Sequence, residues 1–109
     1  MSVEVVTKAQ LEGLFGQGKD VVVDFYADWC RPCHALAPEI SSLASAFDGE
    51  VVFVKLDVDA ESDYAAELGI LGIPTVIHFS ADGDEVARTT GVAPASELAR
   101  RLDLGALTN

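Results

Sequence analysis

The sequence predicts an α/β fold, a twisted sheet with helices on both faces. Three observations point there. Strand-like apolar segments alternate with segments of helical periodicity in the order βαβαβαββα. One segment, "VVVDFYA" (Val21 to Ala27), is apolar on both faces except for Asp24, as a strand covered on both sides requires. Near the end, Asp82-Gly83 between two β-rich runs marks a hairpin.

"SVEVV" (Ser2 to Val6) forms a short first strand. Thr7 and Gln10 have the spacing of a capping box, opening a helix that presents Leu11, Leu14 and Phe15. "GQGKD" (Gly16 to Asp20) ends that helix, and the central strand Val21 to Ala27 follows. From about Pro32, the residues Cys33, Leu36, Ile40, Leu43 and Phe47 make one apolar helical stripe. Pro38 lies inside it and should kink the helix, because it lacks the amide that would bond one turn back. "VVFVKLDVD" (Val51 to Asp59) is a strand, and "ESDYAAEL" (Glu61 to Leu68) is a short helix stopped by Gly69. "PTVIHFS" (Pro74 to Ser80) and "EVARTTG" (Glu85 to Gly91) are the hairpin strands. Pro94 opens a last helix carrying Leu98 and Leu102.

The chain has 109 residues, half of them hydrophobic, so one domain over residues 1–109 with a substantial core is expected. The opening "MSVEVVTKAQLEG" has acidic residues and no apolar stretch, so no secretory signal is expected. No apolar run approaches the ~20 residues that span a bilayer. A soluble, cytoplasmic chain is the expectation, in a compartment that keeps thiols reduced. The net charge is −11, from 18 acids against 7 bases. That argues against nucleic acid and anionic membrane as partners, since both need basic patches. The acidity serves solubility; adaptation to high salt is the alternative, given only three lysines, Lys8, Lys19 and Lys55.

The two cysteines, Cys30 and Cys33, sit in "DFYADWCRPCH" (Asp24 to His34). Cys-X-X-Cys-His also suits covalent haem, but that needs export and usually an axial methionine, and the only methionine is Met1. Zinc wants four ligands in a closed site, and His34 and His78 do not have the spacing of a second pair. A structural disulfide closing so small a loop gains little chain entropy. Inert buried cysteines fit poorly beside Arg31 and Pro32 at a strand-to-helix junction. A redox dithiol fits the spacing. Cys30 falls at the mouth of a helix whose first amides lack partners and carry positive partial charge. Pro32 stands in the first turn, where a helix tolerates it. Cys33 lies one turn on and deeper along the apolar stripe. An exposed Cys30 would attack and a buried Cys33 would resolve the mixed disulfide. Free cysteine titrates near ~8.5, so about three per cent is thiolate at neutral pH. Bringing that value to neutrality makes it half thiolate and takes about 2 kcal/mol, much of which a helix N-terminus can supply.

At this point the chain resembles the thioredoxin family. The resemblance rests on "VVVDFYADWCRPC", on "FVKLDVD" (Phe53 to Asp59), on "GILGIPTVIHF" (Gly69 to Phe79) and on "TTGV" (Thr89 to Val92), in that order over nearly the whole chain. It implies the thioredoxin fold, a mixed twisted sheet of about five strands flanked by helices. It implies a protein disulfide reductase with Cys30 as nucleophile and Cys33 as resolving thiol. Asp24 would exchange protons with Cys33, with Lys55 as its charge partner. The residues agree, since an acid inside an apolar strand is costly to ionise and should titrate closer to neutrality. Trp29, Arg31, Pro32, Ile73, Pro74 and Gly91 would form the substrate-docking surface. X-Pro bonds are cis in only about 5–6% of cases, but the resemblance implies a cis Ile73-Pro74 bond. The backbone of Ile73 would pair with an extended substrate strand, and Gly91 would let that strand approach.

Partners implied by the resemblance are disulfide-containing proteins and a flavin-dependent, NADPH-using thioredoxin reductase. The chain itself would be a monomer without cofactor or metal. The rivals are an extracytoplasmic disulfide oxidase or isomerase, and a redox-silent binding module on the same fold. Four residues depart from the family pattern: Arg31 for glycine, His34 for lysine, Tyr26 for tryptophan and His78 for an aliphatic residue. A charge at about 7 Å in water favours the thiolate by roughly 0.6 kcal/mol. For Arg31 that moves the couple about 13 mV toward the oxidising side, with Asp28 cancelling part. A slightly less reducing protein is expected. His34 is either a source of pH dependence between about pH 5 and 8 or an exposed helix residue without a role.

Overall fold

A computed structural model describes residues 3–105. The elements are β1 (Glu4–Val5), α1 (Lys8–Glu12), β2 (Asp20–Tyr26), α2 (Arg31–Ala46), β3 (Val51–Asp57), α3 (Ser62–Glu67), β4 (Thr75–Phe79), β5 (Glu85–Thr90) and α4 (Ala95–Arg101). They form a five-stranded sheet in the order β1-β3-β2-β4-β5. β1, β3 and β2 run parallel; β4 is antiparallel to β2, and β5 to β4.

Alternation along β2 divides the molecule into layers, because successive side chains point to opposite faces. Val22 packs with Leu36, Ile40 and Leu43 of α2 and Leu98 and Leu102 at α4. Val21, Val23 and Phe25 pack with Leu11 of α1, and Tyr64 and Leu68 of the α3 segment close over them. Asp24 and Tyr26 share the parity of Val22. The acid therefore stands on the α2 side of the sheet, at its centre.

The element order matches the expectation; several ends differ. Of the strand expected over Ser2 to Val6, only Glu4 and Val5 pair with β3, and Ser2 lies outside the described residues. The Thr7–Gln10 capping box is present, but α1 stops at Gly13, leaving Leu14 and Phe15 half-buried in the following turn. β3 ends at Asp57, whose carboxylate accepts from the Asp59 amide at 2.8 Å and turns the chain. Pro94 is the cap of α4 rather than its first helical residue. The hairpin loop spans Ser80 to Asp84, and Gly83 sits at φ +94°, with Phe15 3.0 Å from where a Cβ would lie. Helix α2 runs continuously through Pro38.

His78, singled out as a departure, is a buried structural residue. Its Nδ1 lies 2.6 Å from the Leu102 carbonyl and its Nε2 2.8 Å from the Asp20 carboxylate. The other Asp20 oxygen accepts from the Ala81 amide at 3.0 Å. One ring thus ties the start of β2 and the hairpin to the end of α4. His78→Leu leaves the Leu102 carbonyl buried without a donor. It should lower unfolding stability by about 1–3 kcal/mol, read as a lower urea midpoint at unchanged slope.

Candidate active site

Cys30 and Cys33 stand where β2 hands over to α2, joined by a disulfide with Cα atoms 5.3 Å apart. Cys30 is the N-cap of α2, extended at φ −86° and ψ 105°, and its sulfur accepts the Cys33 amide at 3.2 Å. One amide of this helix mouth, that of Cys33, is therefore turned toward the Cys30 sulfur, while the His34 amide donates to the Cys30 carbonyl. Arg31 and Pro32 occupy the first two helical positions, both exposed.

One expectation is corrected. Cys30 is not exposed: both cysteines retain only 4% of their accessible surface. The reason is the packing of Tyr26, Val58 and Ile73 around Ala27 and the pair. Surroundings distinguish the two sulfurs instead. Cys33 lines a cavity of about 310 Å³ together with Asp24, Tyr26, Asp28, His34 and Lys55, and Cys30 does not.

Asp24 is 4% exposed and its Oδ1 has no hydrogen-bond partner. Burial pushes its pKa from the ordinary 3.8 up to about 6, and the Lys55 charge opposes that rise. Lys55 is the direct register partner of Asp24 on β3, so both side chains project to the same face. Its ammonium lies 5.0 Å from the centre of the Tyr26 ring. Among the described residues Asp24 has no ion pair. Lys55 is therefore a charge neighbour of Asp24 and not a hydrogen-bonded partner.

The residues expected to dock substrate lie on loops beside the disulfide. The Ile73-Pro74 bond is cis. Gly91, at φ +84°, donates its amide to the Pro74 carbonyl at 2.9 Å, which brings the two loops together. No atom lies within 4 Å of where a Gly91 Cβ would be, so the space above it is open. Trp29 is 71% exposed, which rules out a core role, and its indole N–H donates to Asp59 at 2.8 Å. Leu71 and Val92 are also exposed apolar residues on these loops. His34 donates from Nε2 to the Asp28 carbonyl at 2.7 Å, closing the cavity rim. Sequence reasoning missed Asp59 as the anchor of Trp29; one acid among several after β3 carries no local signal.

The arrangement supports thiol–disulfide exchange: a sulfur at a helix mouth, a second sulfur one turn on, and a buried carboxylic acid beside the second. Comparisons with known proteins agree. The thioredoxin family model matches residues 2–104. Thioredoxin C-2 of Corynebacterium nephridii is 43% identical over 83 residues, 76% of each chain. Thioredoxin of Staphylococcus epidermidis is 38% identical over 103 residues, 94% of this chain and 97% of that one. The crystal structure of chloroplastic thioredoxin z superposes with a TM-score of 0.80 at 35% identity, covering 96% of this chain and 97% of that one. The chain belongs to the thioredoxin family, and its Cys30–Cys33 pair makes it a thiol–disulfide oxidoreductase.

Proposed function

We propose that the chain works as a monomeric cytoplasmic protein disulfide reductase in which the two cysteines divide the work. The Cys30 thiolate attacks one sulfur of a substrate disulfide, forming a mixed disulfide and releasing the first substrate thiol. Asp24, as carboxylate, takes the Cys33 proton through the shared cavity. The Cys33 sulfur then attacks Cys30, the mixed disulfide breaks, and the second substrate thiol leaves. The protein is left oxidised as Cys30–Cys33. Two electrons from NADPH, delivered by a flavin-dependent thioredoxin reductase, restore the dithiol. Trp29, Ile73, Pro74 and Gly91 hold the substrate as an extended segment, with Arg31 and Pro32 at its edge.

The observation that carries this reading is the Cys33 amide aimed at the Cys30 sulfur at the mouth of a 16-residue helix. That geometry stabilises the reduced, anionic form of the attacking sulfur. A midpoint potential near about −270 mV, slightly less negative because of Arg31, is the expected result, with NADPH consumed when the protein, a thioredoxin reductase and insulin are combined. A value near about −120 mV would make the protein an oxidase instead.

A further inference from the structure

Asp24, Tyr26 and Lys55 are neighbours by construction. Asp24 and Tyr26 are two residues apart on β2 and so share a face. Lys55 faces Asp24 across the β2–β3 pairing. All three line the cavity that reaches Cys33. In this structure the half-buried Lys55 ammonium lies over the face of the Tyr26 ring and makes no ion pair with the Asp24 carboxyl. A neutral carboxylic acid has little claim on it; a carboxylate has a strong one.

We infer that Tyr26 is a positioning residue for proton exchange at Asp24: its ring holds the Lys55 ammonium, and Asp24 must draw that ammonium off the ring when it ionises. Ionisation then loses a cation–π contact, so the ring keeps Asp24 protonated to higher pH than Lys55 alone would allow. The other charged or titratable groups facing this cluster are Asp28, Asp57, His34 and Cys33. Asp57 is the register partner of Tyr26, and its charge and that of Asp28 add to the burial that pushes the Tyr26 hydroxyl up; Cys33 is held as the disulfide. The inference rests on the reading that Asp24 serves Cys33, but it concerns how Asp24 is tuned, which can be measured without turnover.

The test is a double-mutant cycle on the oxidised protein. The Asp24 carboxyl carbon is followed by NMR across pH in wild type, Tyr26→Leu, Lys55→Met and the double variant. Asp28, Asp57 and His34 are present in all four, so their charges cancel. Tyr26→Leu should lower the Asp24 midpoint by about half a pH unit, equivalent to about 0.7 kcal/mol, the size of a weak cation–π contact. In the Lys55→Met background the same change should move it far less. Tyr26→Phe, which keeps the ring, should retain the wild-type midpoint. Equal shifts in both backgrounds would mean that Tyr26 merely shields Asp24 from water, and would overturn the inference. So would a Phe variant that behaves like Leu. Should Tyr26→Leu fail to fold, wild type still decides. The Lys55 Cε protons should show an upfield ring-current shift below about pH 5 that shrinks above about pH 7, as Asp24 passes its midpoint. No upfield shift, or one that ignores pH, sinks the proposal. Because no disulfide is turned over, failure here leaves the role of Asp24 toward Cys33 standing. Failure of that role would appear instead as unchanged mixed-disulfide resolution in Asp24→Asn.

Discussion

Insulin reduction by the Cys30→Ser variant should fall at least about 10³-fold, to the rate of the added reductant alone. A serine hydroxyl at the helix mouth keeps the packing and loses the sulfur, so no mixed disulfide can form. Cys33→Ser gives the complementary result. Its Cys30 still attacks, but nothing resolves the adduct, and a covalent complex with substrate accumulates that dithiothreitol releases. The two variants together separate catalysis from docking. A redox-silent binding module would lose nothing in either variant, and equal residual activity in wild type and Cys30→Ser would end the assignment. The burial of Cys30 adds a condition. If, as proposed, substrate docks beside Ile73 and Trp29, a bulky disulfide without flanking chain should react more slowly than an unfolded peptide.

Asp24→Asn should stabilise the protein by about 3 kcal/mol at pH 7, the second large effect. The folded acid is held at about 6 against an ordinary 3.8, and one pH unit corresponds to about 1.4 kcal/mol. The sign follows from proton counting. Between pH 3.8 and about 6 the folded protein holds a proton that the unfolded chain has released, so stability falls as pH rises through that window. Above about 6 the full penalty remains; below 3.8 it vanishes. The asparagine variant lacks the penalty, so its advantage over wild type should disappear near pH 3.5 and be complete at pH 7. Urea unfolding at both values checks this. On the proposed role of Asp24 as acceptor of the Cys33 proton, resolution of the mixed disulfide should also slow on the order of 10²-fold. Asp24→Asn therefore trades function for stability, and a variant that is neither more stable nor slower would refute the assignment of Asp24 as the buried proton-exchange group.

Much of this site is legible in the sequence. "VVVDFYA" announced a strand covered on both faces, and the lone Asp24 within it announced an acid in an apolar place. Cys30, Arg31, Pro32 and Cys33 at a strand-to-helix junction indicated the cap geometry that the 3.2 Å contact from the Cys33 amide displays. These are short-range features, determined by alternation, helix periodicity and capping among neighbours in the chain. What only the tertiary structure decided depends on contacts between distant segments. Ile73 and Val58, far from Cys30 in sequence, cover it and make it as buried as Cys33. Register between β2 and β3 sets Lys55 opposite Asp24, and the Tyr26 ring then takes the ammonium. Asp59 anchors Trp29 from thirty residues away, and His78 finds Asp20 and Leu102 only once β4 has paired with β2 and the end of α4 has reached the sheet. The sequence by itself thus determined the order of elements, the dithiol and its acid; burial, charge placement and partner choice were left to the packing, because desolvation and Coulomb interactions depend on distances in space, which local pattern does not encode.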